Sequence, residues 1–277
     1  MSVQTGKPYS KPIKNLDVLT AFGILGIISL IIVPIPTGLL DVLLTMNIAL
    51  SVIVLLLSMF TTEVLQFSVF PTLLLVLTLF RLGLNISSTR LILGQGYAGK
   101  VVEAFGVFVT GDNYIVGIII FIILIVIQLI VVTNGAGRVS EVSARFTLDA
   151  MPGKQMSIDA DLNTGAINDE QARARRQNME KEANFYGAMD GAMKFVKGDS
   201  IAGILIILIN FIGGIAIYVL QQGMPIQEAL SQFALLTIGN GLVSQIPSLL
   251  VSVAAGILVT RSASDKNFGT DLGTQLF

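Results

Sequence analysis

Apolar residues fall into six blocks, at about 18–36, 39–60, 64–80 with a polar continuation to 93, 114–133, 201–221 and 235–259. None alternates with a period of two, so none reads as a barrel strand. At ~1.5 Å of rise per residue, about 20 residues of helix cross the ~30 Å hydrocarbon layer, where backbone must satisfy its own hydrogen bonds. The blocks therefore predict membrane-spanning helices. One long polar stretch interrupts them: Thr133 to Ile201 holds nine Lys/Arg and ten Asp/Glu, more than half the charge of the chain. The pattern predicts an all-α, polytopic integral membrane protein of about six transmembrane helices, with a small cytoplasmic domain between the fourth and fifth. Its parts are an N-terminal segment (1–17), a four-helix block (18–133), an inter-helix domain (134–200), two further helices (201–260) and a tail (261–277).

Composition sharpens this picture. The 277 residues are 53% hydrophobic and only 13% charged, with a mean hydropathy of +0.80, where soluble domains carry roughly 25% charge. A net charge of -1 leaves no basic face for nucleic acid. With no Cys and no His, thiol and imidazole chemistry, disulfides and zinc sites are excluded, and proton handling falls to carboxylates. No cofactor or metal is expected, and no enzymatic activity. Lys7, Lys11, Lys14, the nine island cations, Arg261 and Lys266 fall on one side of the predicted topology and only Lys100 on the other. By the positive-inside rule both termini and the island are cytoplasmic. The Lys-led first block has no small-residue cleavage site and a second span follows at once, so it reads as a retained helix.

Several stretches carry candidate chemistry. Pro34 and Pro36 turn the first span into the second, where Asn47, Ser51 and Ser58 share a polar seam suited to helix packing. From Arg81 to Leu93, two arginines and Asn85 lie at or near membrane depth, where such groups are costly. On a helix Arg81, Asn85 and Ser88 share a face and Arg90 points away beside Ser87; a headgroup or re-entrant turn is the alternative. Arg138, Glu141, Arg145 and Asp149 form a helical row of alternating charge, worth a few tenths of a kcal/mol per pair if merely solvated. Met151-Pro-Gly-Lys154 should break that helix, and Glu170 to Phe195 predicts a long charged one. Asp159, Asp161, Asn163 and Glu170 match four positions of a calcium loop, but Thr164 stands where the turn needs Gly, so capping and turn chemistry account for them. Asp199 precedes the fifth span, where it reads either as an N-cap or as an ion acceptor opening onto Gly203, Asn210 and Gly214. Gly239, Gly241 and Pro247 predict a broken last helix, and Ser244, Ser248, Ser252 and Gly256 a close-packing face.

Arg81 to Leu93, together with Asn134 to Leu162 and Phe185 to Asp199, resembles the FHIPEP family, the large membrane component of the flagellar and virulence type III export gate. The likeness runs from about Asp17 to the end, and Val101-Val-Glu-Ala-Phe-Gly106 with Asp161-Leu-Asn-Thr-Gly165 is more similar to the flagellar branch. The resemblance implies a homo-oligomeric ring in the bacterial inner membrane, with other flagellar export-apparatus membrane proteins and exported flagellar proteins as partners. It also implies coupling of a proton or sodium gradient to export, and it assigns that role to Asp199. Arg81, Asn85, Arg90, Arg138, Glu141, Arg145 and Asp149 would organise the pore or its cytoplasmic mouth. Family members continue into further spans and a large cytoplasmic domain, so this chain is expected to be the membrane half. The rivals are a purely structural ring scaffold, the equivalent virulence gate protein, and an autonomous transporter, against which no inverted repeat is found.

Overall fold

The computed structural model describes residues 15–111, 113–261, 269, 273 and 274. Lys7, Lys11, Lys14, Lys266 and most of the two terminal segments lie outside them. The described elements are all helical: α1 (Asn15–Ile32), α2 (Thr37–Phe60), a 3-10 turn (Val64–Phe67), α3 (Phe70–Gln95), α4 (Lys100–Thr110), α5 (Tyr114–Ile127) running on as a π-helix (Gln128–Ala136), α6 (Gly137–Asn163), α7 (Asp169–Leu220) and α8 (Ile226–Val259). Four are long and apolar enough to cross a membrane: α2, α3 with its preceding turn, α7 and α8. The sharply bent pair α4 and α5 makes a fifth if it is one broken span, and the apolar part of α1, Thr20–Ile32, is shorter. The chain is thus a polytopic helical membrane protein with four or five such spans among the described residues, against six read from hydropathy.

Three expected breaks are absent, and each has a physical reason. The charged helix and the fifth span are one element, α7, whose 52 residues extend ~78 Å. It starts at a capping box in which the Asn168 side chain accepts from the Gln171 N–H (2.8 Å) and the Gln171 side chain accepts from the Asn168 N–H (3.0 Å), a strong start signal. Asp199 is therefore interior to a helix and caps nothing. Helix α6 likewise runs through Met151-Pro-Gly-Lys154 with Pro152 inside it. It is held against α7 by pairs from Lys154 to Glu182 (3.0 Å), Asp161 to Arg175 (2.9 Å) and Asp159 to Arg176, and by the Ile158, Ile167 and Ala172 cluster. Helix α8 is continuous through Gly239, Gly241 and Pro247, because those glycines sit where neighbours press against it.

Helix α8 is the axis of the bundle, with α2, α3, α4, α5 and α7 packed around it. Its backbone and that of α4 interlock. A Cβ on Gly239 would fall on the Val102 carbonyl, and one on Gly106 on the Leu235 carbonyl, so small residues set the approach of the two helices. Asp41 of α2 receives the N–H groups of Lys100 (3.0 Å) and Val101 (2.9 Å) at the start of α4, next to Gly99 at φ +101°, a backbone region that favours glycine.

The register of α3 against α7 decides which neighbours the third span meets. Phe70 and Leu74 pack in one cluster with Phe185, Tyr186, Met189 and Ala144, and the turn before them borders a cleft with Asn178, Lys181 and Asn184. These partners belong to the polar half of α7 or to α6, and the same cluster takes in Val54 of α2 and Val251, Ala254 and Leu258 of α8. The apolar start of α3 thus packs beside the polar half of α7, and the polar continuation from Arg81 runs beside the apolar half of α7, reaching Tyr218 at Gly96.

Candidate functional site

Where the charged half of α7 gives way to its apolar half, Arg81 of α3 and Asp199 of α7 form a buried ion pair, 4% and 6% exposed. Arg81 Nη2 donates to Asp199 Oδ2; Asp199 Oδ1 is buried without a hydrogen-bond partner among the described residues. The pair is possible because α7 does not stop at Gly198, so the carboxylate is carried to the face that meets α3.

Polar contacts climb from this pair one turn at a time along α3. Ser244 of α8 donates to Asn85 Oδ1, and Ser88 donates to Asn240 Oδ1. Ser88 stands ~10 Å of helix rise beyond Arg81, and all four side chains are buried or half-buried. Asn210 of α7, 0% exposed, has neither side-chain atom paired within the protein among the described residues, and the hydroxyls of Ser248 and Ser252 are likewise unpartnered. A cleft of about 30 Å³ runs between Arg81, Asn85, Asp199, Asn240, Ser244 and Ser248, room for a water or two. Buried polar groups left without partners are expensive, so these groups have hydrogen-bonding capacity that water in the cleft would take up.

The other face of α3 does something else. Arg90 donates to the carbonyls of Ile32 (3.0 Å) and Ile31 (3.1 Å), and Ser87 to that of Leu30 (2.8 Å). They bind the carbonyl end of α1, where a helix leaves acceptors unsatisfied and welcomes positive charge. Arg90 and Asp199 are thus on different faces. The α6 row is exposed apart from a half-buried Glu141, and among the described residues its ion pair is Arg145 to Glu141 at 3.8 Å, with the arginine side chain 72% exposed. The structure brings Arg81, Asn85 and Asp199 together and leaves Arg90, Arg138, Glu141, Arg145 and Asp149 elsewhere. Of the track from Asp199, Gly214 lies against Phe233 and Gly203 faces open space, while Gly241 of α8 lies against Phe121. Asp159 and Asp161 are taken up by arginines, and among the described residues no cluster of metal-binding side chains occurs.

Asn240 and Ser244 are the residues sequence reading underweighted. Asn240 sits in a Gly-rich stretch that predicts a helix break, and Ser244 reads only as part of a packing face; an amide flanked by two glycines in an apolar helix is the available signal. Outside the membrane core, the Asp190 carboxylate, hydrogen-bonded at 2.8 Å, holds the Lys194 ammonium above its ordinary pKa.

Comparison with known proteins bears on this arrangement. The model of the FHIPEP family matches residues 27–277. The chain is 61% identical over 261 residues to "Flagellar biosynthesis protein FlhA" of Bacillus subtilis (strain 168), covering 94% of this chain and 39% of that protein. It is 55% identical over 259 residues to the protein of the same name in Escherichia coli (strain K12), covering 92% and 37%. It is 54% identical over 261 residues to that of Caulobacter vibrioides, again covering 92% and 37%. The chain thus spans less than two fifths to about two fifths of the length of these relatives. No solved structure matches.

Proposed function

The chain belongs to the FHIPEP family, and from that premise we propose that it is the membrane-embedded part of a flagellar type III export gate, coupling a proton or sodium gradient to passage of unfolded flagellar proteins. The observation that carries the coupling is the buried Arg81–Asp199 pair at the foot of a file of buried polar groups. An ion reaching Asp199 competes with the Arg81 guanidinium for the carboxylate. Loading the site loosens α3 from α7, and because α7 is one rigid helix, that change is transmitted to the water-side hairpin of α6 and α7. Arg138, Glu141, Arg145 and Asp149 line the flank of that hairpin, where an entering chain would first meet charge. In this reading the protein is not an enzyme, lies in the bacterial inner membrane with both termini and the hairpin cytoplasmic, and works as a homo-oligomeric ring with the other export-apparatus membrane proteins. The flagellar names of the relatives at 54–61% identity support the flagellar branch over the virulence branch.

The ion pair itself favours one rival, a scaffold in which Arg81 and Asp199 only staple α3 to α7. The test is a set of three variants, Arg81→Gln, Asp199→Asn and the double, scored separately for assembly and for gradient-dependent ion flux in liposomes. Removing one partner leaves a buried charge unpaired and costs about 3–5 kcal/mol, whereas replacing both is far milder. Each single variant should assemble poorly and the double should recover. If coupling is right, the recovered double variant conducts nothing and supports no export. Wild-type flux in that variant reduces the pair to a staple.

A further inference from the structure

We propose that the groove between the base of α6 and the adjoining part of α7 is a binding site for the phosphate head of an anionic membrane lipid. It is lined by Gly137, Arg138 and Glu141 from α6 and by Asp190, Met193, Lys194 and Lys197 from α7, and it encloses about 470 Å³. The assignment is independent of the role of Asp199.

Three observations carry it. The first is charge. Asp190 is engaged by Lys194 at 2.8 Å, and Glu141 faces Arg145 at 3.8 Å. Among the described residues Arg138 and Lys197 have no carboxylate partner, so the groove keeps two uncommitted cations over an apolar floor, Met193, which is 4% exposed.

The second is depth. Lys197 lies four residues before Ile201, where the apolar half of α7 begins, and Arg138 lies six residues after Val132, where the preceding apolar run ends. At ~1.5 Å per residue these are ~6 Å and ~9 Å, close to the ~5–8 Å of headgroup on each side of the hydrocarbon. Long cationic side chains extend toward that layer.

The third is the face on which the lysines stand. Lys194, Lys197, Ile201, Leu205, Leu208 and Ile212 recur at spacings of three and four and so form one stripe of α7. The four apolar members are 47–63% exposed, and both lysines are exposed. One unbroken helix thus presents cations on the water side and bare aliphatic side chains on the membrane side of the same stripe. A lipid satisfies both at once, its phosphate in the groove and its acyl chains along Ile201 to Ile212. A soluble anion would leave the aliphatic part bare, and a second copy of the chain would have to supply an acidic patch that continues into an apolar one.

The test uses the full chain in nanodiscs of equal parts phosphatidylglycerol and phosphatidylcholine, extracted into detergent, with retained lipid read by native mass spectrometry. The wild-type protein should hold phosphatidylglycerol in preference. Each cation near the surface contributes about 1 kcal/mol toward an anionic lipid, about five-fold, so Arg138→Gln/Lys197→Gln should lower the preference roughly 25-fold. Lys197→Arg should keep it, and the charge-matched control Arg173→Gln/Lys181→Gln, far out on α7, should be wild-type. Equal retention of the two lipids by wild type overturns the site. So does an undiminished preference in the double variant, or an equal loss in the control, which would indicate a general effect of charge. Displacement of phosphatidylglycerol by an equal concentration of inorganic phosphate would reassign the groove to a free anion.

Discussion

Substituting Gly239 by alanine puts a methyl group onto the carbonyl of Val102, with the Gly106 nitrogen 2.9 Å away. Both are backbone atoms of α4, so no side-chain rotation relieves the overlap and the two helices must separate. Alanine in a helix interior is favoured over glycine by about 1 kcal/mol. Overpacking a close contact costs about 1–3 kcal/mol and sometimes more, and with rigid backbone on the other side the upper end applies, for a net loss of about 1–2 kcal/mol. Gly256 on the same helix is the control, because a Cβ there meets nothing within 4 Å. Gly256→Ala should therefore gain about 0.5–1 kcal/mol from propensity alone. The sequence offers no Trp and no Cys for fluorescence or thiol probes, so thermal unfolding is followed by far-UV circular dichroism in detergent. The expected result is opposite signs, a lower midpoint for Gly239→Ala and a higher one for Gly256→Ala. If Gly239→Ala melts at or above the wild-type temperature, the α4/α8 interlock is not what holds these helices together.

Arg90→Lys loses the two-pronged grip on the Ile31 and Ile32 carbonyls, since an ammonium cannot reproduce the planar fork; hydrogen exchange should rise in the last turn of α1 and stay unchanged in α7, and protection equal to wild type in α1 refutes the cap. Pro152→Ala restores a backbone donor inside α6 and should raise stability by up to about 3 kcal/mol, read in the same melting experiment; a lower midpoint would mean that the proline shapes the hairpin. A reporter fused after Asp161 should read cytoplasmic and one after Met224 external, following the charge bias of the loops; the reverse pattern overturns the orientation proposed for the chain.

The sequence by itself determined what one helix at a time can determine. Composition and block length are sums over neighbouring residues, so they suffice for a polytopic helical membrane protein. The 3.6-residue period suffices to put Arg81, Asn85 and Ser88 on one face of α3 and Ser87 and Arg90 on another. Local rules misled where tertiary contact outweighs them. Gly198, Pro152 and the Gly239–Pro247 stretch are breakers in an isolated chain, yet all three sit inside continuous helices here, because packing and cross-helix ion pairs offset a propensity cost of about 1–3 kcal/mol. Hydropathy cannot say which neighbours an apolar residue meets, and Phe70 and Leu74 pack against the polar half of α7. The partners of Arg81, Asn85 and Ser88 lie 118, 159 and 152 residues away. No local pattern encodes such pairings; only the register in which α3, α7 and α8 pack decides that Asp199 faces a guanidinium rather than its own helix end.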